Sequence, residues 1–314
     1  MLEGLLARLA HKDRHALARL LSLAARGENL AEMNAFLAPT AAPARVVLIT
    51  GSAGVGKSTL IGKLLDLLRG CGKTVAVLAS DPESPLTGGA LLGDRFRMPA
   101  RPEDEGIFIR SLAAKSGRGV VADHVDVMIR LLEAYCFDVI LIETVGAGQG
   151  DTEVRRLADV VVLLLQPETG DDLQWEKAGL LEIADVIVIH KGDLPRAPHM
   201  EAEVRATLSL SSKSAPVLRV SAKTGEGVEA LWQAIEQCPL RRSANAGSSR
   251  ELIEHAQHDL AQWFAAGLDN NGSNIRHILA DLDAGTITRS QAVHKLLQRF
   301  VTDYRARTKD VMVR

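Results

Sequence analysis

The chain has 314 residues, of which 46% are hydrophobic and 24% charged, and its formal net charge is −2. A chain of this composition can bury a sizeable core, which excludes global disorder. The balanced charge gives no reason to expect nucleic acid or a membrane as a partner. Three cysteines, Cys71, Cys136 and Cys238, lie far apart without zinc spacing, and the N-terminus lacks a continuous apolar segment. We therefore expect a cytoplasmic protein in a reducing compartment.

The residue pattern predicts helices at both ends of the chain. Leucines at positions 2, 5, 6 and 9 share one helical face, and Asp13 can cap a second helix that Gly27 can end. Near residues 241–250 the composition shifts to Ser, Ala, Asn, Gly and Arg, which indicates a linker. Amphipathic helices are expected beyond it, around residues 252–268 and 291–304. These boundaries predict an N-terminal helical extension (1–42), a central domain (43–240) and a C-terminal helical arm (241–314).

Seven short apolar runs alternate with helical patterns in the central domain. They lie at residues 46–49, 75–79, 107–109, 139–142, 160–165, 186–189 and 217–220. Runs of Val, Ile and Leu without alternation are typical of strands that are buried on both faces. Strands separated by helices predict an α/β fold with a mostly parallel sheet and right-handed crossovers. In such sheets, ligands bind at the carboxyl ends of the strands.

A phosphate-binding loop follows the first apolar run. Its residues match the pattern G-x-x-x-x-G-K-[ST] and are Gly51, Ser52, Ala53, Gly54, Val55, Gly56, Lys57, Ser58 and Thr59. The glycines allow backbone N–H groups to curl around phosphates, Lys57 can reach the β- and γ-phosphates, and the Ser58 hydroxyl can bind Mg²⁺. The strand before the loop and the helical pattern after it are the context that this motif needs. The chain is therefore predicted to be a P-loop NTPase.

Acidic residues follow two of the other strands. Asp81 comes after the second apolar run and Glu143 ends the fourth, so both can face the phosphate loop and bind Mg²⁺. Asp81 could instead cap the next helix. Gly146 can bring a backbone N–H close to the γ-phosphate. Gln149 can orient the attacking water, although a plain surface glutamine is an equally open interpretation.

Two further polar segments predict that the base is guanine. His190, Lys191 and Asp193 follow the sixth run, where the Asp193 carboxylate can accept from guanine N1 and N2 and the Lys191 stem can cover the ring. The segment that follows the seventh run can contact guanine O6 through its backbone and consists of Ser221, Ala222 and Lys223. Adenine offers no such pair of donors, so GTP is favoured over ATP. His190 stands where Asn is usual, and an imidazole lacks the paired donor and acceptor of a carboxamide, so weaker base affinity is expected.

The sequence resembles the MeaB/ArgK G proteins of the SIMIBI class. The resemblance rests on residues 81–98, 108–110, 143–149, 170–174, 177 and 182–185, and it covers residues 46–223. It implies a GTPase that binds GTP or GDP with Mg²⁺ and acts beside an adenosylcobalamin-dependent acyl-CoA mutase. There the G protein gates cofactor delivery and removes damaged cofactor. The resemblance also implies that the C-terminal helices form a homodimer.

The resemblance carries roles over to individual residues. Those that match the nucleotide–Mg²⁺ site are Lys57, Ser58, Asp81, Asp94 and Glu143. Asp94 lies in a segment with Gly and Pro and is expected to join the site only in the activated state. Residues 166–177 match the region called switch III, in which Asp171 and Lys177 are expected to approach the active site when a partner binds.

Three departures from the family pattern suggest a distinct branch. They are Ser52-Ala53 in the phosphate loop, Gly150-Asp151 after Gln149, and His190. A mutase other than methylmalonyl-CoA mutase is suggested, and the isobutyryl-CoA and 2-hydroxyisobutyryl-CoA mutases are both candidates.

Three other functions are less compatible with the sequence. A nickel-insertion GTPase would need a His-rich tract or a Cys/His metal site, but the nine histidines are scattered. A nucleotide-dependent kinase or ATPase of an amino-acid transport system conflicts with the guanine-reading residues Asp193 and Lys223. A scaffold with a degenerate phosphate loop conflicts with the intact Lys57, Ser58 and Glu143.

Overall fold

A parallel sheet of seven strands forms the centre of the fold in the computed structural model. The structure describes residues 2–37, 43–82, 103–114, 124–144, 155–167, 176–210, 214–241, 260 and 273–312. The strands are β1 (Arg45–Gly51), β2 (Val75–Pro82), β3 (Ile107–Ala114), β4 (Val139–Glu143), β5 (Val160–Leu165), β6 (Val186–His190) and β7 (Val217–Val220). Their order is β3-β2-β4-β1-β5-β6-β7, and all pairings are parallel. The seven predicted strands and the α/β fold are confirmed.

Helices that precede residue 241 cover both faces of this sheet. The described helices are α1 (Leu2–Ala10), α2 (Arg14–Ala25), α3 (Leu30–Phe36), α4 (Lys57–Gly70), α5 (Val125–Ala134), α6 (Glu176–Ile183), α7 (Ala197–Ser209), α8 (Val228–Gln237), α9 (Ser273–Asp283) and α10 (Arg289–Met312). Val46 and Leu48 of β1 pack in one core with α1, α2 and α5, whereas Val47 and Ile49 pack in another with α4 and α8. Successive strand residues point to opposite faces, so a continuous apolar run serves both cores.

The N-terminal helices are part of the first of two compact units, residues Met1–Ala244 and Asn245–Arg314. The buried leucines of α1 and α2 lie in the same core as β1, β2 and β4. Asp13 caps α2 as predicted, because its Oδ1 accepts the N–H of Ala16 at 3.0 Å. Gly27, with φ of +72°, follows the end of that helix. The division into three parts at residues 42 and 240 stays a prediction.

The amino-terminal edge of the sheet is held by three aspartates, each directly before a strand. Asp138 accepts the N–H of Thr74 beside β2 at 2.7 Å. Asp159 accepts the N–H of Val46 in β1 at 3.0 Å, and Asp185 accepts the N–H of Val161 in β5 at 2.9 Å. Each side chain thus pairs a backbone group of a neighbouring strand and fixes the register between the two.

The second unit contains the helices α9 and α10. Thr288 caps α10, because its hydroxyl accepts the N–H of Gln291 at 3.3 Å while the Gln291 carboxamide accepts the N–H of Thr288 at 2.9 Å. This reciprocal pair is a capping box. The helix predicted around residues 291–304 lies within α10. The one predicted around residues 252–268 lies outside the described residues, apart from residue 260.

Candidate active site

The phosphate loop connects β1, in the middle of the sheet, to α4. Gly51 ends the strand with φ of +148°, and a Cβ there would lie 2.5 Å from the carbonyl oxygen of Leu164 in β5. Gly56 precedes α4 with φ of +103°, and a Cβ there would lie 2.5 Å from Cε1 of His190. Both positions require glycine, for backbone conformation and for space. The motif therefore sits in the strand–loop–helix context predicted for it.

Lys57 is folded back over its own loop. Its Nζ donates to the carbonyl oxygens of Gly51 at 3.0 Å and Ser52 at 3.2 Å, and the residue is buried. A buried ammonium at the N-terminus of α4 places positive charge where the helix dipole is also positive. This end of the sheet therefore has the charge and the backbone donors that suit an anion.

Ser58 and Glu143 form a buried polar pair beside the loop. The Ser58 hydroxyl donates to Oε1 of Glu143 at 2.7 Å, and the two residues are 4% and 2% exposed. β4 brings Glu143 there, because its last residue pairs with Ile49 of β1. Thr144 follows and donates to the Thr50 hydroxyl at 3.1 Å. The sequence does not predict the threonine pair, because the contact joins two segments that lie 94 residues apart.

Oxygen donors of this kind suit Mg²⁺. A hydroxyl and a carboxylate at a phosphate site are the hard ligands that this cation takes. Asp81 lies near the carboxyl end of β2, two residues after the partner of Glu143, but only its backbone is described. Asp94, Gly146, Gln149 and Asp171 lie outside the described residues, and Lys177 is described only as part of α6.

The two segments that are predicted to read the base meet at the ends of β6 and β7. The N–H of Gly192 donates to the carbonyl of Val220 at 3.0 Å, which holds the segments together. The Ser221 hydroxyl donates to the Asp193 carboxylate and, with the backbone N–H of Asp193 and the charge of Lys223, lowers the pKa of Asp193. Asp193 is thus held as an exposed, ionised acceptor. Ser221 and Ala222 are buried and Lys223 is exposed.

His190 joins the first of these two segments to the phosphate loop. Its Nδ1 lies 2.7 Å from the carbonyl oxygen of Val55, although 135 residues separate the two in sequence. The residue is 4% exposed, and burial lowers the pKa of the ring. The sequence predicts that this histidine holds the site less firmly than an asparagine would. The structure shows a direct contact with the phosphate loop, which the sequence did not predict.

Comparison with known proteins supports this interpretation. Residues 17–266 match the family model described as the methylmalonyl-CoA mutase-associated GTPase MeaB. A putative GTPase of Pyrococcus abyssi is 42% identical over 76% of each chain, and a probable GTPase of Mycobacterium tuberculosis is 35% identical over 94% of each. GTPase ArgK of Escherichia coli is 40% identical over 75% of this chain and 72% of its own.

A solved structure shows the same fold. The crystal structure of an LAO/AO transport system kinase superposes with a TM-score of 0.66 at 24% identity, over 96% of this chain and 97% of that one. Among the helices that the structure describes, none is long and apolar enough to cross a membrane.

Proposed function

Because the chain belongs to the MeaB family of GTPases and so hydrolyses GTP, we propose that it controls adenosylcobalamin delivery to an acyl-CoA mutase. The observation that carries this proposal is the match of residues 17–266 to a family named for its association with methylmalonyl-CoA mutase. GTP binding and hydrolysis gate cofactor transfer and protect the loaded mutase. Cytoplasmic action belongs to the same proposal and is supported by three cysteines that all occur as free thiols.

The described residues support specific roles in GTP hydrolysis. Lys57 neutralises charge on the β- and γ-phosphates, and the surrounding loop supplies backbone N–H groups. Asp193 reads the guanine edge through N1 and N2. Ser58 and Glu143 would hold Mg²⁺, with Asp81 and Asp94 as further ligands. When bound, the cation would neutralise charge on the phosphate oxygens.

Partner sensing is assigned to the segment around α6. Asp171 and Lys177 follow β5, which lies beside the phosphate-loop strand, so this segment leaves the same edge of the sheet as the nucleotide motifs. No arginine finger is evident among the sequence motifs, and the offset of Gln149 from Glu143 is longer than in Ras-like proteins. Intrinsic hydrolysis is therefore expected to be slow, and ordering of this segment by a partner, together with Gln149, would complete the site.

The test is stimulation of GTP hydrolysis by the cobalamin-binding part of an acyl-CoA mutase. Wild-type protein should be accelerated, whereas Asp171→Ala and Lys177→Ala should lose most of the acceleration and keep basal turnover. Lys63→Ala is the matched control and should respond as wild type, because Lys63 lies on α4, outside the phosphate loop and outside residues 166–177. If both variants still respond fully, this segment is not the sensor. If methylmalonyl-, isobutyryl- and 2-hydroxyisobutyryl-CoA mutases all fail to bind or stimulate, the mutase proposal is wrong and the GTPase alone remains.

A homodimer built by the second unit is part of the same proposal. Val293, Leu297 and Val301 lie four residues apart on α10 and are 55%, 42% and 45% exposed. A four-residue spacing places them on one helical face. An apolar stripe on a capped helix, together with family membership, favours pairing with a second copy of this chain.

A further inference from the structure

The two ring nitrogens of His190 differ: Nδ1 is hydrogen-bonded to the carbonyl of Val55, whereas no partner is described for Nε2. The carbonyl oxygen of Val55 can only accept, so Nδ1, at 2.7 Å, must carry the proton that it donates. In the neutral ring Nε2 is then a bare acceptor. Nε2 is buried, and within the described part of the chain it has no hydrogen-bond partner.

A buried nitrogen without a partner is uncommon and calls for a ligand or a proton. The ring lies between the phosphate loop, at Val55 and Gly56, and the segment that carries Asp193. A guanine nucleotide has to span these same two elements. Its N1 and N2 donors go to Asp193, which leaves O6 and N7 on the adjacent edge, and both atoms are acceptors.

We propose that Nε2 of His190 donates a hydrogen bond to N7 of the bound guanine, so that guanine nucleotide binding takes up one proton from solvent. A neutral ring would present a lone pair to another lone pair. The protonated ring can donate to Val55 and to N7 at once. His190 is thereby a specificity-determining residue that joins base recognition to the phosphate loop. The proposal rests on guanine nucleotide binding, which the family shows, and not on the mutase partner.

The charges around the ring set the direction of the effect. Burial, followed by Lys191, lowers the pKa of His190, while the Val55 carbonyl and Asp193 raise it. Two further lysines lie on the neighbouring segments. Lys57 of the phosphate loop donates to the carbonyls of Gly51 and Ser52, and the charge of Lys223 lowers the pKa of Asp193. An acceptor at Nε2 raises the pKa of the ring in the complex. Affinity is then highest below the pKa of the free protein and falls as pH rises through the pKa of the complex.

The experiment compares GDP with 7-deaza-GDP, in which a C–H replaces N7, on the wild-type protein from about pH 5.5 to about pH 8.5. The diphosphate titrates identically in the two nucleotides, so the difference between their pH profiles isolates N7. The dissociation constant for GDP should rise more steeply with pH than that for 7-deaza-GDP, by up to about tenfold per pH unit. Parallel profiles for the two nucleotides would overturn the proposal.

A variant pair supplies the second readout. His190→Asn should bind GDP with the shallow pH profile that the wild type shows for 7-deaza-GDP. His199→Asn changes an exposed histidine of α7 that pairs with Glu203, and it should keep the steep profile. A steep profile in His190→Asn would place the proton elsewhere and contradict the proposal. The comparison of nucleotides needs no variant, so a His190→Asn protein that fails to fold leaves the test intact.

Discussion

At the scale of single residues, the site depends on side chains whose partners lie far away in sequence. Lys57, Ser58 and Asp193 can be singled out from the sequence as candidates, because each belongs to a short motif with a known chemical task. The contact of His190 with Val55 could not, since it needs the fold to bring β6 beside the phosphate loop. The sequence alone predicts only that His190 binds the base less firmly than an asparagine would. In the structure its ring also contacts the phosphate loop.

Lys57 is the residue on which phosphate binding should depend most. Its ammonium hydrogen-bonds the carbonyls of Gly51 and Ser52 within its own loop, so we expect Lys57→Ala to leave the fold intact. We expect GTP binding or turnover to be abolished, measured by calorimetry and phosphate release. Lys63→Ala on the same helix is the control and should behave as wild type. Normal turnover in a folded Lys57→Ala protein would refute the phosphate-loop assignment.

Asp193 should determine the choice of base. The hydrogen bond from Ser221 lowers the pKa of the carboxylate and keeps it ionised, so it can accept from guanine N1 and N2. Asp193→Asn should weaken GTP binding by about tenfold to a hundredfold, the worth of a charged hydrogen bond. The same variant should favour xanthine nucleotides, because a carboxamide can donate to xanthine O2. Competition between GTP and XTP measures the switch, and an unchanged preference would place base recognition elsewhere.

At the scale of elements, the strands were predictable and their arrangement was not. Continuous apolar runs identify buried strands wherever they occur. The order of the strands and their register depend on contacts between segments, such as that of Asp159 with Val46, 113 residues apart. An aspartate directly before an apolar run occurs three times, at 138, 159 and 185, and this recurrence was the available signal.

Asp159 should matter more for stability than Asp138, which plays the same part at an exposed position. Asp159 is 1% exposed, so its loss leaves the N–H of Val46 buried without its side-chain acceptor. Asp159→Ala should lower the free energy of unfolding by about 1–3 kcal/mol. Water can replace the Asp138 acceptor, so Asp138→Ala should cost less. Urea unfolding measures both, and equal losses would contradict the role given to burial.

At the scale of the whole molecule, the chain combines an α/β unit that carries the nucleotide site with a helical unit whose apolar stripe is exposed. The stripe should determine the oligomeric state. Light scattering of the wild type should give twice the chain mass of 33.8 kDa. Leu297→Glu should give the mass of one chain, because it places a charge in the apolar contact.

The control for the dimer is Gln298→Glu, which adds the same charge one residue away at an exposed polar position. It should leave the dimer intact. Both variants should keep GTP binding, since the nucleotide motifs all lie in the first unit. A wild-type protein of single-chain mass would remove the dimer from the proposed function.

The three aspartates hold one edge of the sheet, and the nucleotide motifs occupy the opposite edge. Damage to the two edges should therefore have different consequences in a cell. A substitution at the aspartate edge shortens the lifetime of the folded chain, so the protein becomes scarce while each surviving molecule works normally. A substitution at the nucleotide edge leaves abundance normal and makes every molecule inactive. Inherited defects in such a protein would thus fall into two kinds, which a measurement of protein quantity tells apart before any assay of activity.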